Sequence, residues 1–236
     1  MQLFRSILSR RMLALILCAV LIYVNAFTSV KVFAKVCTNQ PAFRCTANKQ
    51  AEADQAHNND LAITAKAAVL IDNASGRILY AKNKDKKLIP ASITKIMTLL
   101  LIFESIEQGK CKLEDKVTVS EYAASMGGSQ VFLEPGETQD VNTMIKCISI
   151  ASANDAAVAM AEHLAGSEQS FVKRMNKKAK ALGMKHTHFK NCNGLDDSIE
   201  SGHYSSAYDV ALMSQSLVSK YPDISKYSTV WMGEWV

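Results

Sequence analysis

Pro90-Ala91-Ser92-Ile93-Thr94-Lys95-Ile96-Met97 is followed by a nearly unbroken apolar run, Leu99, Leu100, Leu101, Ile102 and Phe103, which Gly109 closes. Pro90 stops whatever precedes it. The pattern predicts one helix over roughly residues 91–107, apolar nearly all round and therefore buried. Positions three apart share a helix face, so Ser92 Oγ and Lys95 Nζ can meet. A hydroxyl at its free pKa is a poor nucleophile and needs an adjacent base. A lysine set in this much hydrocarbon is costly to keep charged, so its pKa should fall toward the range of a working base. The positive end of the helix dipole pushes the same way and favours negative charge growing near Ser92. The competing reading is a capping serine beside a lysine that reaches for solvent. Ser-x-x-Lys alone is common by chance, so the rest of the chain has to decide between them.

The chain has 236 residues, 48% hydrophobic and 21% charged, an ordinary globular balance with enough apolar residues for a sizeable core. Its net charge of +5 is concentrated at the start, where Arg5, Arg10, Arg11 and Lys31 stand among no acids. Without those four of 27 basic residues, 23 face 22 acidic ones, which leaves +1 and nothing that points to nucleic acid. Arg5, Arg10 and Arg11, the apolar run Met12 to Val24 and the small-residue site Val32-Phe33-Ala34 predict a secretory signal peptide over 1–34. An uncleaved N-terminal anchor is the alternative. Residues 35–62 are polar and without sustained period, a linker, and 63–236 form the domain. Past the leader, Cys37, Cys45, Cys111, Cys147 and Cys192 are an odd set, and Cys37 and Cys45 are near enough in sequence to pair. His186-Thr187-His188 has no Cys or His partner at ligand spacing, so no metal is expected.

Ala67 to Asp72, the turn Asn73-Ala74-Ser75-Gly76 and Arg77 to Ala81 predict a β-hairpin. The lysines from Lys82 to Lys87 read as a solvated loop. Lys116 to Ser120 predicts a strand and Glu121 to Met126 a helical turn. Asp140 caps a helix with Val141, Met144, Ile145 and Ile148 on its inner face, and Ser149 to Asp155 breaks it. An alanine-rich helix runs from Ala156 to Leu164 and is closed by Gly166. A basic amphipathic one runs from Ser167 to Leu182, with Phe171, Met175, Ala179 and Leu182 inward. Ser206 caps the last clear helix, with Asp209 completing a capping box and Val210, Ala211, Met213, Leu217 and Val218 apolar.

Ser92-x-x-Lys95, followed 60 positions later by Ser152-Ala153-Asn154, resembles the serine penicillin-recognising enzymes. Four flanking blocks sharpen the likeness: Pro90 to Thr98; Gly127-Gly128-Ser129 with Phe132 to Glu137; Ser152 to Ala157; and Asn193-Gly194-Leu195 with His203 to Asp209. Together they resemble the D-alanyl-D-alanine carboxypeptidases of low-molecular-weight penicillin-binding type over about residues 62–236. The resemblance implies an α+β, β-lactamase/transpeptidase-like fold, an antiparallel sheet flanked by helices with a helical insert carrying Ser152. It implies that Ser92 attacks the carbonyl between the terminal D-alanines of a peptidoglycan stem peptide and Lys95 takes its proton. Ser152 would pass a proton to the leaving amine, and Asn154 would hold the substrate amide and the Lys95 amine. It implies no metal or organic cofactor, inhibition by β-lactam antibiotics, and an exported protein at the outer face of the membrane or the cell wall.

The family's third motif, Lys-Thr-Gly on a sheet strand, does not occur in the 236 residues. The expectation is therefore a C-terminally truncated peptidase domain, lacking sheet strands, a further β-rich domain and an amphipathic membrane anchor. Such a chain should have little or no activity, since losing one oxyanion donor alone slows acyl transfer about a hundredfold or more. Two other readings stand beside it. A serine β-lactamase would carry a Glu-x-x-x-Asn loop, absent between His186 and Asn193. A non-catalytic peptidoglycan-binding remnant has no physical need to place Ser92, Lys95, Ser152 and Asn154 together.

Overall fold

A computed structural model describes residues 62–195 and 201–230. The expected leader, nearly all of the linker and the Cys37–Cys45 pairing lie outside the described residues. The architecture is α+β. Strands β1 (Ala68–Ile71) and β2 (Ile78–Lys82) form an antiparallel hairpin. In its turn Asp72 Oδ1 accepts from the Ser75 N–H at 2.8 Å, and these Ser75 hydrogen bonds hold the Asp72 carboxyl below its usual range.

The predicted helix over 91–107 is two elements. A 3₁₀ turn, Ala91–Thr94, leads into α1, Lys95–Glu107. Ala91 has φ 45° and Pro90 cannot donate a backbone hydrogen bond, so the chain enters tightly wound rather than as regular helix. The apolar run then does what its composition requires. Met97, Leu100 and Ile102 are fully buried, each contributing about 1.5–3 kcal/mol of hydrophobic stabilisation.

Strand β3 (Lys116–Thr118) pairs antiparallel with β4 (Thr138–Asp140), a strand the sequence reading missed because Thr-Gln-Asp carries no apolar alternation. The short α2 (Glu121–Ala124) follows β3, capped by Ser120. Asp140 caps α3 (Val141–Ile150) by accepting from the Thr143 N–H at 2.7 Å, as its position predicts. The break at Ser149–Asp155 is shorter than expected, because α4 begins at Asn154 and runs to Ala165. Gly166, at φ 77°, ends it in the left-handed conformation. Helix α5 is Glu168–Ala181, with Phe171, Met175 and Ala179 buried and Leu182 only partly so.

Helix α6 (Ala207–Lys220) is capped by Ser206, but the capping box is half made. The Asp209 carboxylate turns away, accepting instead from the His186 N–H and the Thr187 hydroxyl, both at 2.7 Å. Val218 lies outside the core. A 3₁₀ turn, Pro222–Ile224, and α7 (Ser225–Ser228) finish the described chain. Among the described residues no helix is long and apolar enough to cross a membrane.

Helix α4 lies at the centre, packed by α1, α2, α3, α5 and β3. Ala156, Ala157, Ala159 and Ala161 are all fully buried. Small side chains let neighbours approach from every side, which is why an alanine-rich segment with little hydrophobic amplitude is the core element. Both α1 and α4 start with a polar residue, Lys95 and Asn154, and the candidate site forms where these two starts meet.

Candidate active site

Ser92 is exposed on the 3₁₀ turn, and its hydroxyl makes no cap. Lys95, one helical turn on, is 3% exposed, so it does not reach for solvent as the competing reading required. Its Nζ donates to Asn154 Oδ1 at 2.6 Å, to the Asn193 carbonyl at 2.8 Å and to Ser92 Oγ at 3.2 Å. Burial pushes the Lys95 amine down to about 8, against the opposing negative charge of Asp155. The geometry suits a base. When the amine is neutral its two protons stay on the shorter bonds, to Asn154 and Asn193, and the lone pair faces Ser92.

Asn154 is held on three sides. Its side-chain NH₂ donates to the Gly127 carbonyl at 2.7 Å, and its backbone N–H donates to the Ser129 carbonyl at 2.7 Å. A Cβ on Gly128 would stand 2.8 Å from Asn154 Nδ2, so the Gly-Gly-Ser segment can approach only because it has no side chain there. Next along, Asp155 is fully buried and accepts from the backbone N–H of Val131, Leu133 and Ala156 at 2.9–3.3 Å. That clamp leaves Phe132, at φ 60°, pointing out and 77% exposed.

Ser152 sits two residues before Asn154, partly buried, with φ 54°. It is in the same turn, but no hydrogen bond joins its hydroxyl to Ser92, Lys95 or Asn154. Ser92, Lys95 and Asn154 are thus brought into one hydrogen-bonded group, with Ser152 on the backbone that leads into it. Positive φ in a non-glycine residue is sparsely populated and persists only where the surroundings impose it.

The far wall was not assigned a role by sequence reasoning. Asn193 is 2% exposed and contributes its main-chain carbonyl, which residue-type patterns cannot flag. Gly194 lies so close under the 3₁₀ turn that a Cβ would stand 1.8 Å from the Ala91 carbonyl oxygen. Thr98 Oγ1 donates to the Cys192 carbonyl, and the Cys192 N–H donates to Glu168 Oε1 at 3.0 Å, which stitches this wall to α1 and α5. Cys192 is fully buried, and burial pushes its thiol well up, so it stays a packing group.

His203 is buried beside the turn, with Nδ1 accepting from the Lys190 N–H at 3.1 Å. A neutral ring in that tautomer carries its proton on Nε2 and donates it to Thr94 Oγ1, 2.8 Å away. A cleft of about 580 Å³ between α1 and α5, lined by Glu104, Lys110, Arg174 and Lys177, includes none of these site residues.

This arrangement can deprotonate an exposed hydroxyl with a buried amine, the requirement for nucleophilic attack on a carbonyl. Comparison with known proteins points the same way. The profile of the D-alanyl-D-alanine carboxypeptidase family (peptidase S11) matches residues 50–233. The D-alanyl-D-alanine carboxypeptidase DacF of Bacillus subtilis (strain 168) is 57% identical over 178 residues, covering 75% of this chain and 45% of that protein. Penicillin-binding protein 5 from Haemophilus influenzae superposes with a TM-score of 0.66 at 38% identity, covering 70% of this chain and 48% of that one. Penicillin-binding protein D2 from Listeria monocytogenes, in its ampicillin-bound form, gives a TM-score of 0.64 at 28% identity over 72% of this chain and 68% of that one. The chain spans about half the length of the curated relatives it matches. With the profile covering most of its length and the fold and Ser-x-x-Lys group in agreement, the chain belongs to the D-alanyl-D-alanine carboxypeptidase family.

Proposed function

We propose that this protein is a serine-type D-Ala-D-Ala carboxypeptidase of the bacterial cell wall. The observation that carries the reading is the Lys95 amine, buried and held by Asn154 and Asn193 with Ser92 as its third partner. Neutral Lys95 takes the Ser92 proton as Oγ attacks the carbonyl between two terminal D-alanines of a peptidoglycan stem peptide. A backbone N–H at the start of the Ser92 turn stabilises the oxyanion. The C–N bond breaks, Ser152 passes a proton to the departing D-alanine amine, and an acyl-enzyme remains on Ser92. Asn154 orients the substrate amide. Water then attacks the ester, the stem peptide leaves one D-alanine shorter, and Ser92 regains its proton.

A β-lactam ring acylates the same serine, so penicillins act as inhibitors. The N-terminal leader carries the protein out of the cytoplasm to the outer face of the membrane or the wall. Membrane association through an uncleaved leader or a C-terminal anchor belongs to the same reading. Acylation and deacylation each pass through an oxyanion, so both draw on the second donor expected from a Lys-Thr-Gly strand. A stoichiometric label on Ser92 reads acylation apart from turnover. Exposure to a fluorescent penicillin followed by peptide mapping should place one label on Ser92, lost in Ser92→Ala and Lys95→Met. Such labelling would also overturn the expectation of an inert chain. A parent that folds by circular dichroism yet takes up no label at saturating penicillin would falsify the proposal.

A further inference from the structure

We propose that Cys111, Asp115 and His163 form a binding site for a thiophilic divalent cation, with Zn²⁺ the best fit. One ligand atom from each residue lies within 4.8 Å of the other two. Donors around a tetrahedral zinc stand roughly 3.4–3.7 Å apart, so closure takes side-chain adjustments of about an ångström. The freest of the three is the one best able to move. Cys111 is buried, Asp115 is half-buried and His163 is exposed. Thiolate, imidazole and carboxylate form a donor set that suits zinc, and three protein ligands leave a fourth position for water.

The charges close as well. A thiolate and a carboxylate balance the two positive charges of the ion, and the imidazole binds neutral, so a part-buried site carries no net charge. Binding releases the Cys111 proton and consumes nothing else.

The surroundings support each ligand. Asp115 Oδ2 accepts from the Lys112 N–H at 2.8 Å, which fixes the carboxylate and leaves its other oxygen for the ion. Cys111 Sγ has only a long contact to the Lys112 carbonyl, 3.6 Å, to give up. His163 lies in the last turn of α4, where the carbonyl end of the helix favours a cation. The other candidate histidines are engaged elsewhere. His186 faces Asp85 at 3.6 Å, and His188 Nδ1 bonds the Gly202 carbonyl at 2.7 Å.

The location gives the ion a role. Cys111 and Asp115 belong to the connection between α1 and β3, while His163 is on α4. These are the two helices whose first residues, Lys95 and Asn154, are bonded in the candidate active site. The cation would fasten their opposite ends. The neighbouring bond from Ser120 Oγ to Glu162 Oε2, 2.7 Å, already ties α4 to the segment after β3.

The test is a Zn²⁺ titration of the reduced full chain in competition with a chromophoric chelator, repeated for His163→Ala, Cys111→Ser and the control His186→Ala. The expected result is that one Zn²⁺ equivalent of the parent is weakened about tenfold or more in the first two variants and unchanged in the control. Substitution by Co²⁺ should give a thiolate charge-transfer band that Cys111→Ser abolishes. His163 is exposed, so its variant keeps the fold and decides the matter if Cys111→Ser fails to fold. Parent and His163→Ala binding Zn²⁺ equally, or a parent that binds none, overturns the proposal.

Discussion

In the proposed reaction Lys95 is the base, and it then sets the pH dependence of Ser92 acylation. Only the neutral amine can accept the hydroxyl proton, and burial brings its pKa down to about 8. The rate of penicillin acylation should therefore fall about tenfold per pH unit below about 8 and level off above it. A pH series of labelling rates checks this, and a flat profile would remove Lys95 as the base. The same burial has a consequence for stability. The folded amine releases its proton near 8, while a free lysine holds it to 10.5. Across that window the unfolded chain binds more protons, so the parent gains stability as pH rises. Below it both states are protonated and the burial penalty stands in full. Measured against Lys95→Met by chemical denaturation, the parent should gain from about pH 8 upward and show no change in the difference below. Gly194 is the second sensitive position. At φ 85°, with the Ala91 carbonyl where a Cβ would stand, Gly194→Ala should lower stability by about 2 kcal/mol or more. Because Ala91 adjoins Ser92, acylation should weaken with it, and unchanged unfolding and labelling would show that the contact is soft.

At the scale of elements, Asp155 joins two pieces of chain that hydrophobic packing alone would not register. Its carboxylate accepts three backbone N–H groups, two of them from the 131–133 loop and one from its own helix. Asp155→Ala strands these donors in a dry environment and should destabilise by about 3 kcal/mol or more, with Asp155→Asn losing less because it keeps an acceptor oxygen. Urea unfolding of both variants measures it, and equal midpoints for the alanine variant and the parent would show that the loop relaxes to water.

This clamp also marks the limit of what the sequence shows. Hairpin, helix α1, the Asp140 and Ser206 caps and the amphipathic α5 were legible, because each rests on local periodicity or a capping side chain. Ser92, Lys95 and Asn154 were legible as a spacing. The 3₁₀ entry at Ala91, the β3–β4 pairing, the turn of the buried Asp209 carboxylate toward His186 and Thr187 and the Asn193 carbonyl were not. Each depends on a partner distant in sequence or on a main-chain atom, which carries no residue-type signature. The Cys111–Asp115–His163 group was hidden for the same reason, as its histidine comes from another helix.

On the scale of the whole molecule, cohesion is uneven. Helices α1, α3 and α4 share one buried cluster with α5 and the inner face of α6. The β1–β2 hairpin stands apart from that cluster, since none of its residues is fully buried and Leu70 is 55% exposed. Its ties to α6 are packing of β1 and hydrogen bonds from Gln215 Nε2 to the Asn73 carbonyl, 2.7 Å, and from Ser219 Oγ to Asn73 Oδ1, 3.2 Å. Among the described residues each sheet has two strands, and a two-stranded unit is marginal without further cover. Local opening should therefore begin there. Amide hydrogen exchange followed by mass spectrometry should show peptides spanning 68–82 exchanging well before those of α1 and α4. The α1 and α4 amides should open only with global unfolding, because no smaller opening frees a helix surrounded by others. Substituting Gln215→Ala should speed hairpin exchange further and leave α4 unchanged. Hairpin protection equal to that of α4 would mean that β1 and β2 are held by more than α6, and the two-part picture of the fold would have to be given up.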